Sequence, residues 1–501
     1  METVHNLLMG FAVALTPQNL WLAFVGSVLG TIIGVLPGLG PSAGAAMLIP
    51  LTFHIGPTGA IIMLTALFYG TQYGGTVTSV LMNVPGEASS AITCLDGYQM
   101  AKQGRAGVAL AVAAVGSFIG GTFATMALVV AAGPLSRWAL EFGPVEFFTL
   151  ILLGLSLLTG LAGKSVLKAL MMGIFGLILA MVGIDPIRGQ PRFTFGQPDL
   201  LDGIGFIPII MGLFGMAEIL ENAEKPFADM VLAKMSTLMP TRQDVRDSVG
   251  PIVRGSLIGT ALGLIPGITN SASSFLAYIA ERKVSKYPER FGTGMIQGVA
   301  GPETANNAHA NGALIPLFTL GIPASPTIAV IMGAFLMHGL VPGPFLFKEH
   351  PDVVWGVIAS FYIGNVILLI LNLPLIGIWV KILKIPYGIL AAIILAFMIL
   401  GAYSVSNSAF DVGVMTLFGV LGYVLRKLDF PLAPIVLTLI LGPLMERSLR
   451  QSLEISQGSF LIFFKSPIAA VFLVMAAVIL IAPAFQVFRR GKAALSGDEP
   501  A

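Results

Sequence analysis

Apolar residues run through this chain in unbroken blocks, neither alternating as in a half-buried strand nor striping one face as in a water-facing helix. Residues 107–132, 144–162, 166–184, 387–405 and 466–488 each supply the roughly 20 apolar positions that carry a helix across a bilayer. Comparable blocks recur from end to end. The pattern predicts an all-α polytopic membrane protein of about 12 spans, some of them broken or re-entrant.

The interruptions are more regular than the blocks. GSVLGTIIGVLPGLGPSA (26–43) lies over GSLIGTALGLIPGITNSA (255–272), matching at Gly26/Gly255, Ser27/Ser256, Gly30/Gly259, Thr31/Thr260, Gly34/Gly263, Pro37/Pro266, Gly38/Gly267, Ser42/Ser271 and Ala43/Ala272. Chance would give roughly one or two matches in such a window. YGGTVTSVLMNVPGEASS (73–90) against NGALIPLFTLGIPASPTI (311–328) pairs Gly74 with Gly312 and Pro85 with Pro323, and IPIIMGLFGMAE (207–218) resembles APIVLTLILGPLME (433–446). Three echoes in one order indicate a tandem duplication. Repeat 1 covers 1–230, a charged linker 231–250, repeat 2 251–460, an extra span 461–490 and a short tail 491–501.

Lys225, Lys234, Arg242 and Arg246 around the linker, and FRRGKAA after the last span, place both in the cytoplasm by the positive-inside rule. With a single crossing at 466–488, the segment 446–465 falls outside, opposite to its counterpart at the start of the linker. The repeats are therefore expected to be inverted, with the N-terminus outside and the C-terminus inside.

Each repeat interrupts its first long helix at the same place. Proline removes an amide donor and glycine loosens the backbone, so Pro37, Gly38 and Gly40 before Ser42, and Pro266 and Gly267 before Thr269, Asn270 and Ser271, mark two breaks. Gly26, Gly30 and Gly34, four residues apart, read instead as a packing stripe. Broken backbone at membrane depth is tolerated only inside protein or along a cavity, and a corresponding pair of breaks is the best pointer to a transporter's binding site. Free N–H groups and the dipole at the start of a half-helix suit a carboxylate; unwound carbonyls suit a cation such as Na⁺.

Two polar runs add to these breaks. Thr71, Gln72, Gly74, Gly75, Thr76 and Asn83 belong to YGTQYGGTVTSVLMN, and GPETANNAHANG contains Glu303, Asn306, Asn307, His309 and Asn311. On a helix Glu303, Asn307 and Asn311 share one face, with Asn306 and His309 turned from it. An ionisable group inside a membrane is costly and points to function, which makes Glu303 a candidate coupling residue. The competing reading leaves Glu303 in an aqueous loop and the amides satisfying broken backbone. The acids and bases of GIDPIRGQPRFTFGQPDLLDG (Asp185, Arg188, Arg192, Asp199, Asp202) read as a solvated connection, and Glu218 and Glu446 as structural acids at helix ends.

Composition narrows the function classes. The chain is 56% hydrophobic and 10% charged, with a net charge of +2, which gives no basic surface for nucleic acid. Cys94 is the single cysteine, so no internal disulfide or cysteine cluster exists, and the five histidines lack metal-ligand spacing. No enzymatic metal centre and no cofactor are expected; Na⁺ or H⁺ remains open as a coupling ion. No Lys or Arg precedes the first apolar run, so the N-terminus is expected to stay in the mature protein.

Taken together, the paired GSxxGTxxGxxPG motifs, PGLGPSAG, YGTQYGGT with NVPGE, GPETANNAHANG and RFTFGQPDLLDGIGFIPIIMGLFGMAE resemble the large membrane subunit of tripartite tricarboxylate transporters. The resemblance covers most of the chain. It implies a permease of the bacterial inner membrane, driven by an ion gradient and taking up small di- or tricarboxylates; the topology above then makes the N-terminus periplasmic. It further implies two partners, a periplasmic solute-binding protein and a small membrane subunit of about four spans. The breaks at Pro37–Ser42 and Pro266–Ser271 and the polar runs 71–79 and 303–311 become the expected binding residues. Two rivals remain: an ion-coupled anion transporter needing no binding protein, and an intramembrane serine protease, because GPSAG matches a GxSxG elbow with Ser42 and His309 as partners.

Overall fold

The computed structural model describes residues 2–36, 39–161, 165–185, 188–224, 239–382 and 387–496. Pro37, Gly38, the first part of the 231–250 linker and the end of the tail lie outside the described residues. In chain order the helices begin with α1 (Glu2–Ala14), α2 (Pro17–Val35), α3 (Pro41–Leu48), α4 (Pro57–Met82), α5 (Thr93–Lys102) and α6 (Ala106–Ala139). Next come α7 (Pro144–Leu161), α8 (Val166–Ala180), α9 (Phe206–Ile210), α10 (Ala217–Ala223), α11 (Arg242–Gly263) and α12 (Asn270–Val284). The middle holds α13 (Gln297–Gly312), α14 (Leu314–Leu320), α15 (Pro326–Met337), α16 (Pro344–Glu349), α17 (Pro351–Asn372) and α18 (Ile376–Ile382). The last are α19 (Tyr387–Ser406), α20 (Ala409–Lys427), α21 (Ala433–Ile455), α22 (Ile462–Lys465) and α23 (Pro467–Ser496). The five apolar blocks singled out in the sequence fall on α6, α7, α8, α19 and α23.

Local chemistry explains many of these boundaries. Pro17, Pro41, Pro57, Pro144, Pro326, Pro351 and Pro467 each open a helix, where a missing amide leaves no bond unmade. Thr241 caps α11 in a reciprocal box: its hydroxyl accepts from the Asp244 amide at 3.1 Å, and the Asp244 carboxylate accepts from the Thr241 amide at 2.9 Å. Between α9 and α10 the chain widens into a π-helix over Met211–Met216.

Among the described residues five helices are long and apolar enough to span a membrane, at Pro17–Val35, Ala106–Ala139, Phe206–Ala223, Pro351–Asn372 and Ala409–Lys427, and several shorter apolar helices accompany them. The surface agrees with a hydrocarbon surround. On α6, Val115, Ile119, Phe123, Met126 and Val130 form an exposed stripe, while Gly116, Gly120, Ala124 and Leu128 on the other face are buried. An exposed apolar stripe of that length would be a liability in water.

The chain divides into two compact units, each drawing on both sequence halves: residues 1–139 with 207–423, and residues 140–206 with 424–501. In the first unit α2 lies against α4, and α11 against α13, through glycine. A Cβ on Gly26, Gly30 or Gly34 would come within 2.3, 2.3 and 2.2 Å of the Met63, Leu67 and Thr71 carbonyl oxygens. A Cβ on Gly255, Gly259 or Gly263 would come within 2.5, 2.2 and 2.7 Å of the Gly301, Ala305 and His309 carbonyl oxygens. Only glycine permits this approach. Both pairs set Thr71 and His309 in equivalent places, the same register that aligns Gly74 with Gly312.

The second unit holds α7, α8, α21–α23 and a short antiparallel pair, Gly183–Ile184 with Pro191–Arg192. Here one sequence expectation needs correction. Arg188, Asp199 and Asp202 are exposed, but Asp185 is buried and Arg192 is mostly covered. Arg192 donates to Glu446 at 2.8 Å, Arg450 to Asp185 at 3.0 Å, and Arg450 pairs with Glu446 at 2.5 Å. The connection folds back onto α21, and four alternating charges neutralise one another there.

Candidate functional site

The most polar part of the first unit lies where α4, α5, α6, α12 and α13 meet. GPETANNAHANG is helical despite Pro302, and every residue from Gly298 to Gly312 is buried. Glu303 is 1% exposed, which replaces the aqueous-loop alternative. Its carboxylate accepts from Thr76 at 2.5 Å and from Thr93. Asn307 donates to Ser117 Oγ at 2.7 Å and Asn311 to the Gly121 carbonyl at 3.0 Å, so both amides face α6. Asn306 and His309 turn toward α12 and the segment before α5: Asn306 donates to Glu87 at 3.2 Å, and His309 Nδ1 shares a 2.7 Å hydrogen bond with Ser273.

Asn270, the first residue of α12 and the one directly after the second break, ties the runs together. Its amide nitrogen reaches Gln72 Oε1 at 3.2 Å, and on Asn306 both the backbone carbonyl at 3.2 Å and the side-chain oxygen at 3.3 Å. Gln72 also accepts from Ser89 at 3.4 Å and donates to Thr71 at 3.1 Å. Ser89 donates to Glu87 as well. Glu87 and Glu303 are thus two buried carboxylates held by hydroxyls and amides, and among the described residues neither is bonded to Lys or Arg. Ionising a carboxyl in such a place is costly.

Other expected residues have supporting or separate places. Gly74 lets α4 approach the Thr31 carbonyl, where a Cβ would stand at 2.4 Å, and Gly75 leaves room for Glu87, whose Cγ a Cβ would meet at 2.7 Å. Asn83 is exposed and ends α4 in the left-handed conformation, φ 57°, outside the polar cluster. The two breaks differ. At the first, the Gly40 amide donates to Glu218 Oε1 at 2.5 Å, and Ser42 pairs with Thr327 at 2.9 Å. At the second, Pro266 is buried, Gly267 takes φ 89° and donates to the Ala324 carbonyl at 3.1 Å, Thr269 caps α12 through the Ala272 amide at 3.2 Å, and Ser271 is half-buried. Glu218 therefore holds the amide that the sequence offered to a substrate carboxylate. Ser42 and His309 have different partners, Thr327 and Ser273, so the serine of the GPSAG elbow is not paired with His309.

Several participants were not singled out from the sequence: Glu87, Thr93, Ser117, Tyr73 and Asn365, the last two joined by a 2.8 Å hydrogen bond. Glu87 had a signal, an acid in NVPGEASS next to a polar helix. Asp96 is buried too, but its partners are structural: it accepts from the Gly292, Gly294 and Met295 amides at 2.9, 2.8 and 2.7 Å and from Tyr278 at 2.9 Å, closing the turn before α13. No group of three metal-ligating side chains occurs among the described residues.

Comparison with known proteins gives this geometry its context. An uncharacterized 52.8 kDa protein of Agrobacterium vitis, from the TAR-I ttuC' 3' region, is 50% identical over 471 residues, 94% of each chain. A second uncharacterized A. vitis protein, from the TAR-II ttuC' 3' region, is 50% identical over 212 residues, 42% of this chain and 88% of its own. No solved structure matches. The model of the tripartite tricarboxylate transporter TctA family matches residues 20–437. The chain belongs to the TctA family of tripartite tricarboxylate transporters, and so to the membrane transporters.

Proposed function

We propose that this chain is the permease subunit of a binding-protein-dependent system that carries small di- or tricarboxylates across the bacterial inner membrane, driven by a Na⁺ or H⁺ gradient. One observation carries the reading: Asn270, at the second break, bonds Gln72 of repeat 1 and Asn306 of repeat 2. A transporter made from inverted repeats has its site at the repeat interface, beside broken helices. The second break, at 266–271, borders the site through Asn270, the 71–76 and 303–311 runs supply polar contacts to the substrate, and Glu303 takes part in coupling. Movement of one part of the protein against another exposes the site alternately to each side. The proposed partners are a small membrane subunit of about four spans and a periplasmic solute-binding protein.

The test is uptake of labelled carboxylates into proteoliposomes containing this chain and its small subunit, with and without binding protein, under Na⁺ or pH gradients. Uptake is expected only with binding protein present, and Asn270→Ala should lower it by roughly tenfold or more, the loss of about 1.4 kcal/mol of binding. Full uptake without binding protein would favour a self-sufficient transporter instead.

A further inference from the structure

Next to Glu303, side chains of α4, α6, α17 and α18 line a partly open cavity of about 10 Å³, the room that one water-sized particle takes. Its polar lining is Tyr73, Thr76, Ser117 and Asn372; Val77, Leu110, Ala113, Ala114 and Ile376 complete it. Each polar group has committed its proton elsewhere. Thr76 donates to Glu303 at 2.5 Å, Tyr73 to Asn365 at 2.8 Å, Ser117 to the Glu303 carbonyl at 3.4 Å, and the Asn372 amide nitrogen to the Leu368 carbonyl at 3.0 Å. Oxygen lone pairs are what remain for the cavity.

Asn372 Oδ1 has no hydrogen-bond partner, although the residue is 3% exposed. Asn307 Oδ1, beside Ser117, has none either. A buried acceptor left unpaired is costly, and Asn372 Oδ1, which belongs to a cavity-lining residue, calls for a partner there. Turning the Asn372 amide over would set its oxygen against the Leu368 carbonyl, so the network fixes the oxygen toward the cavity.

We propose that this cavity is a Na⁺ site, with Tyr73 Oη, Thr76 Oγ1, Ser117 Oγ and Asn372 Oδ1 as ligands and Glu303 as the counter-charge one hydroxyl away. Hard cations take all-oxygen shells, and a single adjacent carboxylate matches a single positive charge. Water fits less well, since it has two protons for four acceptors. The inference rests on the reading of the chain as a cation-driven permease and makes Na⁺ the driving ion.

Equilibrium binding of ²²Na⁺ to the purified full-length chain in detergent, with no carboxylate present, tests the site apart from transport. Saturable binding close to one ion per chain is expected, resistant to a roughly tenfold excess of K⁺. Asn372→Ala and Ser117→Ala should each weaken Na⁺ by roughly tenfold or more. Absence of saturable Na⁺ binding in the wild type overturns the proposal whatever the variants do, as does wild-type affinity in both variants. An ordered water in the cavity of crystals grown in Na⁺, told from the ion by its longer oxygen distances, overturns it as well. Carboxylate uptake driven by a pH gradient in a wild type that binds no Na⁺ would sink the Na⁺ site and leave the transport reading standing. No uptake with intact Na⁺ binding would do the reverse.

Discussion

Asp244, at the start of α11 and beyond the spanning helices, shows how a carboxylate in this protein keeps its charge. Burial opposes ionisation, but the Thr241 amide and hydroxyl and the Arg105 guanidinium outweigh it and hold the group below its ordinary 3.8. A lowered folded value means that the stabilisation is complete above the ordinary value and is lost as pH falls through the lowered one. The gap in thermal midpoint between wild type and Asp244→Asn should therefore hold steady from about pH 7 to about pH 5 and shrink below about pH 4. A gap that grows on acidification would contradict this. Legibility at this scale depended on contrast. Asn306, Asn307, His309 and Asn311 stand out because amides and imidazole are rare inside apolar sequence. Glu87 follows Pro-Gly and looks like a solvated turn, and only tertiary structure brings it under Asn306. Thr93 and Ser117 carry no signal, since small hydroxyls are common in membrane helices and satisfy themselves on the preceding turn. Asp185 misled for the opposite reason: charges in a polar run look solvated until a distant helix supplies Arg450.

Among elements, the glycine-faced pairs α2–α4 and α11–α13 are the clearest link from sequence to packing. The spacing of four in Gly26, Gly30 and Gly34 was enough to predict a close-packed face, because a helix places such residues in one line. Gly259→Ala should destabilise the protein by about 1–3 kcal/mol, the usual cost of forcing a methyl into a filled contact, seen as a fall in thermal midpoint. Gly413→Ala on α20 serves as the control; nothing lies within 4 Å of its added methyl, and it should leave the midpoint unchanged or slightly raised. Equal effects would mean that the stripe is not what holds the pair. The π segment at Met211–Met216 was invisible in sequence, as an extra residue in a turn leaves apolar periodicity almost unaltered.

For the molecule as a whole, three ordered echoes read as a duplication, but the way the two parts of the chain combine was not legible. Each compact unit takes chain from both halves, and such assembly is decided by contacts between residues hundreds of positions apart. Inversion of the repeats makes a separate prediction. In a Cys94→Ser background, Gln243→Cys should be shielded from an impermeant maleimide added outside the cell, while Ser459→Cys should react; both sites are exposed. Labelling of both, or of neither, would argue for repeats of the same orientation. The glycine contacts also say how such a molecule can deform. Because carbonyls every four residues sit on glycines every four residues, a slide of less than a full turn drives each carbonyl into a neighbouring side chain. The α2–α4 and α11–α13 pairs behave like ratchets locked at one notch. Shear along them is opposed at every one of these glycine contacts.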